Sequence, residues 1–384
     1  MTSALREDEA ARLLGDLVAL RTVNPMGRPY HGGGPVERPV IEYLERLFAP
    51  FAVSCRRISA SPIHESLLVS IPGRTAGPAA LLEAHIDTVP ADDWSDTAFT
   101  PRREGGRIIG RGACDDKGSL AAMTLALADL LRSGQRPASP VLFLAAGDEE
   151  YGQTGIKTFL ADLPTPLAWA VFGEPTGCIP VIQHKGVIRW DVSVAGRSAH
   201  SSRPELGRNA ILDMMRLCDR LAAHEAALRA RHTNPLTGGP SITVTTIQGG
   251  RTRNMVPDQC TVAVDFRIAP GMDGRQALEE LQAAITWPGL SVSHSPPQCL
   301  APALNTSPDD PLVARALAAC EQHLGRPVAA AGAPYCSDAG WIPAGAPALV
   351  LGPGDIADAH AVGESVAIAE VMQAAAIYRQ LVDG

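Results

Sequence analysis

Short, largely apolar runs that stop at charged residues alternate with helical segments along the first half of this chain. The runs at 66–71, 79–84, 141–146 and 168–172 are far shorter than the roughly 20 residues a membrane span requires. Their continuous apolar character, unlike strict alternation, fits strands buried on both faces. Helical spacing over 7–20 and 117–133 lies between and before them. This rhythm predicts an α/β domain around a mostly parallel sheet. From His184 the pattern changes to an alternating strand (186–195), a helix (209–229), two more alternating strands (241–248 and 259–268) and a helix (274–285), which is α+β in character. After Pro296-Pro297 the α/β pattern returns, with a helix at 311–324, a strand at 348–351 and a last helix at 365–381. The chain therefore reads as one domain built from 1–183 and 297–384, with a second domain, 184–296, inserted into it. At 384 residues, two cores are the natural expectation.

Composition excludes several classes of partner. A net charge of −8 without any Lys/Arg-rich run lacks the footprint of a nucleic-acid binder. The polar, acidic start, Met1 to Glu9, is unlike a secretory leader, and with no span the expectation is a cytoplasmic protein without membrane partners. Eight cysteines without a C-x-x-C pair suit reduced thiols.

The ends of the apolar runs carry the chemistry. Leu81 to Asp87 is an apolar strand closing on His85 and Asp87, whose spacing of two places both on one face. In open α/β sheets ligands bind beyond the carboxyl ends of the strands. A lone histidine there is more often a packed core residue than a metal ligand; as a ligand, His85 would have Asp87 holding the proton of its other ring nitrogen or orienting a neighbouring group. Gly110 to Ser119 is glycine-rich and leads into the 117–133 helix, but G-x-x-x-x-G-K-[ST] is absent, and two carboxylates stand where a phosphate would need bare N–H groups. Acids there suit a divalent cation, and Asp115 is able to span two. Asp148, Glu149 and Glu150 follow the 141–146 run, Glu174 follows 168–172, and His360 comes after the turn Gly352-Pro353-Gly354. No Lys/Arg cluster lies near in sequence to balance these acids, which points to metal. Histidine and carboxylate donors without thiols suit zinc, cobalt or manganese. Side chains of neighbouring residues diverge, so Glu149 and Glu150 divide naturally into a general base and a ligand.

In this order the motifs resemble the metallopeptidase and deacylase family that includes acetylornithine deacetylase, succinyl-diaminopimelate desuccinylase, aminoacylase and glutamate carboxypeptidase, over essentially the whole chain. The resemblance implies a zinc-peptidase-like catalytic domain, an inserted α+β lid through which two copies dimerise, and two divalent metal ions, zinc before cobalt or manganese. It assigns His85 and Glu174 to one ion, Glu150 and His360 to the other, and Asp115 to the bridge. Asp87 then orients His85, and Glu149 is the base. Gly196 to Pro204 resembles the lid segment whose histidine, here His200, polarises the scissile carbonyl, commonly in the partner's site. Asn254 and Arg267 match positions that contact substrate, Arg267 through its two-pronged guanidinium; a plain surface arginine at 267 would instead pair with Asp265.

The function implied is hydrolysis of the amide bond of an N-acyl amino acid, or a similar small carboxylate-bearing substrate, by a water activated between two metals. A dipeptidase or carboxypeptidase, and a hydrolytic deaminase or amidase of an aromatic acid, are the alternatives among enzymes. A catalytically silent metal- or ligand-binding protein is the alternative outside them, and the presence of Glu149 weighs against it. Two segments depart from the family pattern. Asp116 stands where many relatives have methionine, and Tyr335-Cys336 replaces small residues before Ser337-Asp338-Ala339, so acyl-group preference does not carry over from any one relative.

Overall fold

The computed structural model describes residues 7–94 and 96–383. The segment Met1 to Arg6, part of the polar start read above, lies outside the described residues. Two compact units emerge: one from Met1–Ile182, Thr306–Ala331 and Ser337–Gly384, the other from Gln183–Asn305 with Gly332–Cys336.

In the first unit, strands β1 (Ser54–Ser59), β2 (Glu65–Ile71), β3 (Ala79–His85), β4 (Val141–Ala146), β5 (Leu167–Phe172) and β6 (Ala348–Val350) lie in the order β1-β2-β4-β3-β5-β6. The centre is parallel: β3 runs alongside both β4 and β5, and β6 alongside β5. Toward the edge, β1 and β2 run antiparallel to their neighbours. Every residue of β3 and β4 is buried, because helices cover both faces of the central strands. Helices α1 (Glu7–Ala19), α2 (Arg38–Phe48) and α3 (Lys117–Arg132) supply Leu14, Leu17, Ile41, Leu120 and Leu127 to the core that Leu82, Phe143 and Val171 enter from the sheet. Each such fully buried side chain contributes roughly 1.5–3 kcal/mol of transfer free energy. The functional consequence is directional. Because β3, β4 and β5 are mutually parallel, their carboxyl ends emerge on one edge, and the acids and histidine that follow them are delivered together.

The last helix departs from the sequence expectation. It begins at Ile368, and Ser365–Ala367 is instead a strand paired antiparallel with Arg107–Ile109, which in turn pairs with Arg102–Glu104. Three residues of backbone pairing with a distant hairpin outweigh the local helical pattern, even though Ser365 is a residue type that can cap a helix. The helix α2, the short helix α4 (Thr154–Ala161) and the edge strand β1 are additional elements that the apolar pattern did not single out.

The second unit is an antiparallel sheet ordered Ser241–Gly249, Gln259–Ile268, Gly186–Ala195, Ser291–His294, with Cys299–Ala301 also paired to Gly186–Ala195. Gln259–Ile268 alternates buried and half-buried residues, and helices Ala210–Arg231 and Gly274–Ala284 pack Leu217 and Leu281 onto Trp190 and Phe266. The Asn209 side chain caps the first of these helices by accepting the N–H groups of Ile211 and Leu212. The unit extends past the expected boundary at Pro296 to Asn305, because Cys299–Ala301 continues the ladder on Gly186–Ala195. No helix among the described residues is long and apolar enough to cross a membrane.

Candidate active site

His85 ends β3 and is 2% exposed. Its Nδ1 donates to the carbonyl of Asp87 at 3.0 Å, which leaves Nε2 directed at Asp115 Oδ1, 2.8 Å away. The orienting contact is therefore Asp87's backbone; its carboxylate lies at 3.7 Å from the ring. That carboxylate instead accepts from Asn24 Nδ2 and from the backbone N–H groups of Glu149 and Glu150. Burial opposes its ionisation, but His85, Asn24 and the Glu149 N–H together hold Asp87 below the usual carboxylate range. Asp87 thus joins the turn after β4 to the end of β3.

Asp115 faces two histidines, one with each oxygen: His85 at Oδ1, and His360 Nε2 at 3.2 Å from Oδ2. Asp116, the neighbouring acid, is fully buried and takes no part in this pairing. Despite burial, the two imidazoles keep Asp115 ionised well below the usual range. His360 also lies 3.3 Å from Glu150 Oε1, and these two acids raise its pKa to about 10. His360 comes from a loop, half exposed, with φ at 61°. That loop is tied to the Asp115 loop by a buried ion pair. Arg111 donates to Glu364 Oε2 at 2.7 Å and to the His360 carbonyl at 3.2 Å, while Glu364 Oε1 accepts the N–H groups of Cys114 and Asp115.

Glu149 and Glu150 separate. Ligand atoms of His85, Glu149 and Glu174 lie within 4.8 Å of one another, and so do those of His85, Asp115 and Glu150. Burial, reinforced by the surrounding carboxylates, pushes Glu149, Glu150 and Glu174 above their ordinary range. Asp115, Glu149, Glu150 and Glu174 thus gather around the imidazoles of His85 and His360, and a mixed nitrogen and oxygen donor set of this spacing fits divalent cations of the zinc, cobalt or manganese type.

The other sequence-assigned residues belong to the second unit. His200 is exposed, its Nδ1 2.8 Å from Ser202 Oγ. Asn254 lies beside it: the Ser201 N–H donates to the Asn254 carbonyl, and the Val256 N–H to that of Ala199. Arg267 is paired with Asp265 through Nε and Nη2, and Arg189 donates to the same carboxylate. Asn24, Glu364 and Gln153, whose amide donates to Glu149 Oε1, were not singled out from the sequence. Their only mark there is residue type, since each acts across a long separation in the chain or through a turn.

Comparison with known proteins gives a consistent picture. The model of peptidase family M20/M25/M40 matches residues 81–384. The acetylornithine deacetylase of Proteus mirabilis is 33% identical over 343 residues, 85% of each chain. Among solved structures, a tripeptidase from Staphylococcus aureus superposes with a TM-score of 0.80 at 17% identity, over 99% of both chains. An M20 family metallo-carboxypeptidase from Sulfolobus solfataricus gives 0.78 at 19% identity, over 98% of this chain and 99% of that one.

Proposed function

Since this chain belongs to peptidase family M20/M25/M40 and is an amide-cleaving hydrolase of it, we propose that it deacylates N-acyl amino acids, releasing a carboxylate and a free amine. The observation that carries this reading is the Asp115 carboxylate turned to His85 with one oxygen and to His360 with the other. In the proposal His85 and Glu174 hold one divalent ion, Glu150 and His360 a second, and Asp115 both; zinc is the first choice of metal. Such a pair of ions, when bound, acidifies water and polarises a carbonyl. Glu149 is the general base. Gln153 occupies its Oε1, so Oε2 is the oxygen that takes the proton from the attacking water and returns it to the leaving nitrogen.

From the second unit, His200 steadies the developing oxyanion with Nε2, its Nδ1 being engaged by Ser202. Asn254 and Arg267 bind the substrate, Arg267 through the Nη1 edge that Asp265 leaves open. We assign His200 to the site of a second copy in a homodimer. The edge strand Ser241–Gly249, together with exposed Leu212, Met215 and Ile247, supports pairing of two copies through this unit. We place the protein in the cytoplasm, a reading supported by cysteines that form no C-x-x-C pair in the sequence. The test is amine release from a panel of N-acetyl, N-formyl and N-succinyl amino acids beside dipeptides. Turnover confined to the N-acyl amino acids is expected; turnover confined to dipeptides would replace this reading with a peptidase.

A further inference from the structure

The Glu149 carboxylate is held from behind by two hydrogen bonds in series. Gln153 Nε2 donates to Glu149 Oε1 at 3.1 Å, and Trp341 Nε1 donates to Gln153 Oε1 at 2.9 Å. An indole N–H can only donate, so its partner on Gln153 has to be the carbonyl oxygen. That choice turns the amide nitrogen toward Glu149. Without the indole, the amide loses the contact that fixes its plane, and its N–H is no longer held in line with Glu149 Oε1. The surroundings fix both members. Gln153 is 4% exposed and precedes α4 with φ at 51°, a left-handed conformation that a non-glycine residue keeps where packing enforces it. Trp341 closes the short helical turn Asp338–Trp341, and the Lys157 ammonium sits 5.2 Å from its ring centroid.

We propose that Gln153 and Trp341 are positioning residues for the general base, with Trp341 acting only through Gln153. The inference rests on the reading of Glu149 as the base. Neither residue exchanges a proton. The proton moves from water to Glu149 Oε2 and on to the leaving nitrogen, while Oε1 stays bound to the Gln153 amide and fixes the plane of the carboxylate.

The experiment uses the metal-loaded enzyme and the best substrate of the panel above. Gln153→Ala is expected to lower kcat about 10–100-fold, the scale of misplacing a reacting group by about 1 Å, with KM within about twofold and full metal content. Trp341→Phe keeps the aromatic bulk but loses the N–H, and it is expected to lower kcat comparably. The double variant should be no slower than the slower single variant, since both act on one contact. The visible absorption of the cobalt-loaded protein should be unchanged in all three. Wild-type kcat in Trp341→Phe, or losses that multiply in the double variant, overturns the proposal. If Gln153→Ala does not fold, Gln153→Met keeps the length without a donor and is held to the same outcome. Glu149→Ala separates the two levels: if it retains turnover, the base reading itself has failed. If it loses turnover while Gln153→Ala and Trp341→Phe do not, only the positioning proposal has.

Discussion

Glu149 and Glu150 are adjacent in sequence, and the positive φ of Asp148 before them opens the turn that sends them to different neighbours. Glu150 reaches His360, whereas Glu149 is held by Gln153. On the proposed assignment, replacing each by alanine gives opposite results. Glu149→Ala keeps both metals and loses roughly 10²–10⁴-fold in rate, the usual contribution of a general base, with little change in substrate affinity. Glu150→Ala loses a metal. Glu149→Asp falls between wild type and alanine, since its carboxylate is set back by one methylene. Metal content and turnover measured together on the three variants decide it; loss of metal from Glu149→Ala with retention by Glu150→Ala reverses the two roles. From the sequence, three consecutive acids at a strand end announced the chemistry. Which acid meets which histidine depended on backbone dihedrals at Asp148 that no residue pattern encodes.

At the scale of elements, the parallel centre of the sheet does the assembling. β3, β4 and β5 end on one edge, and the loops that follow need only a few residues to bring His85, Glu149 and Glu174 within reach of one another. His360 and Asp115 are joined differently, through the Arg111 and Glu364 pair that ties two loops together. In the second unit, Ser241–Gly249 is an edge strand with most of its residues exposed, among them Ile247 at 56% exposure. A lysine on such an edge opposes pairing with another copy. Ile247→Lys is therefore expected to convert the proposed dimer to monomer by analytical ultracentrifugation and, if His200 acts in the partner's site, to lower kcat/KM by about 10²-fold or more. A wild-type protein that sediments as a monomer at full activity would rule out the shared site.

For the whole molecule, metal and protons are linked to stability. The acids of the site repel one another, so stripping the ions with a chelator is expected to abolish activity and lower the unfolding midpoint, and zinc, cobalt or manganese should restore both. Full activity in a rigorously metal-free preparation contradicts the two-ion reading. A second dependence lies away from the metal site. His184 is fully buried, and burial, only partly offset by the Lys185 carbonyl, draws its pKa down to about 4. The unfolded chain takes up this proton below about pH 6.5, the folded chain only near 4, so stability is lost as pH falls through that window, by up to about 3 kcal/mol. In urea unfolding between pH 7.5 and 5, His184→Gln should show a flatter decline than wild type; parallel curves would remove His184 as the cause.

Alone, the sequence determined the α/β class and the strand-end positions of His85, Glu149, Glu150 and Glu174, because apolar runs and their polar stops are local properties of a chain. Only the tertiary structure decided that Asp115 and not Asp116 faces both histidines, that Asp87 orients His85 by its carbonyl, and that Ser365–Ala367 is a strand. It also supplied Asn24, Glu364, Gln153 and Trp341, whose partners lie as far away as 253 residues along the chain. The physical reason is the same in each case: hydrogen-bond partners and pairing registers are fixed by the closing of distant segments on one another, and no periodicity in the sequence records which donor will meet which acceptor.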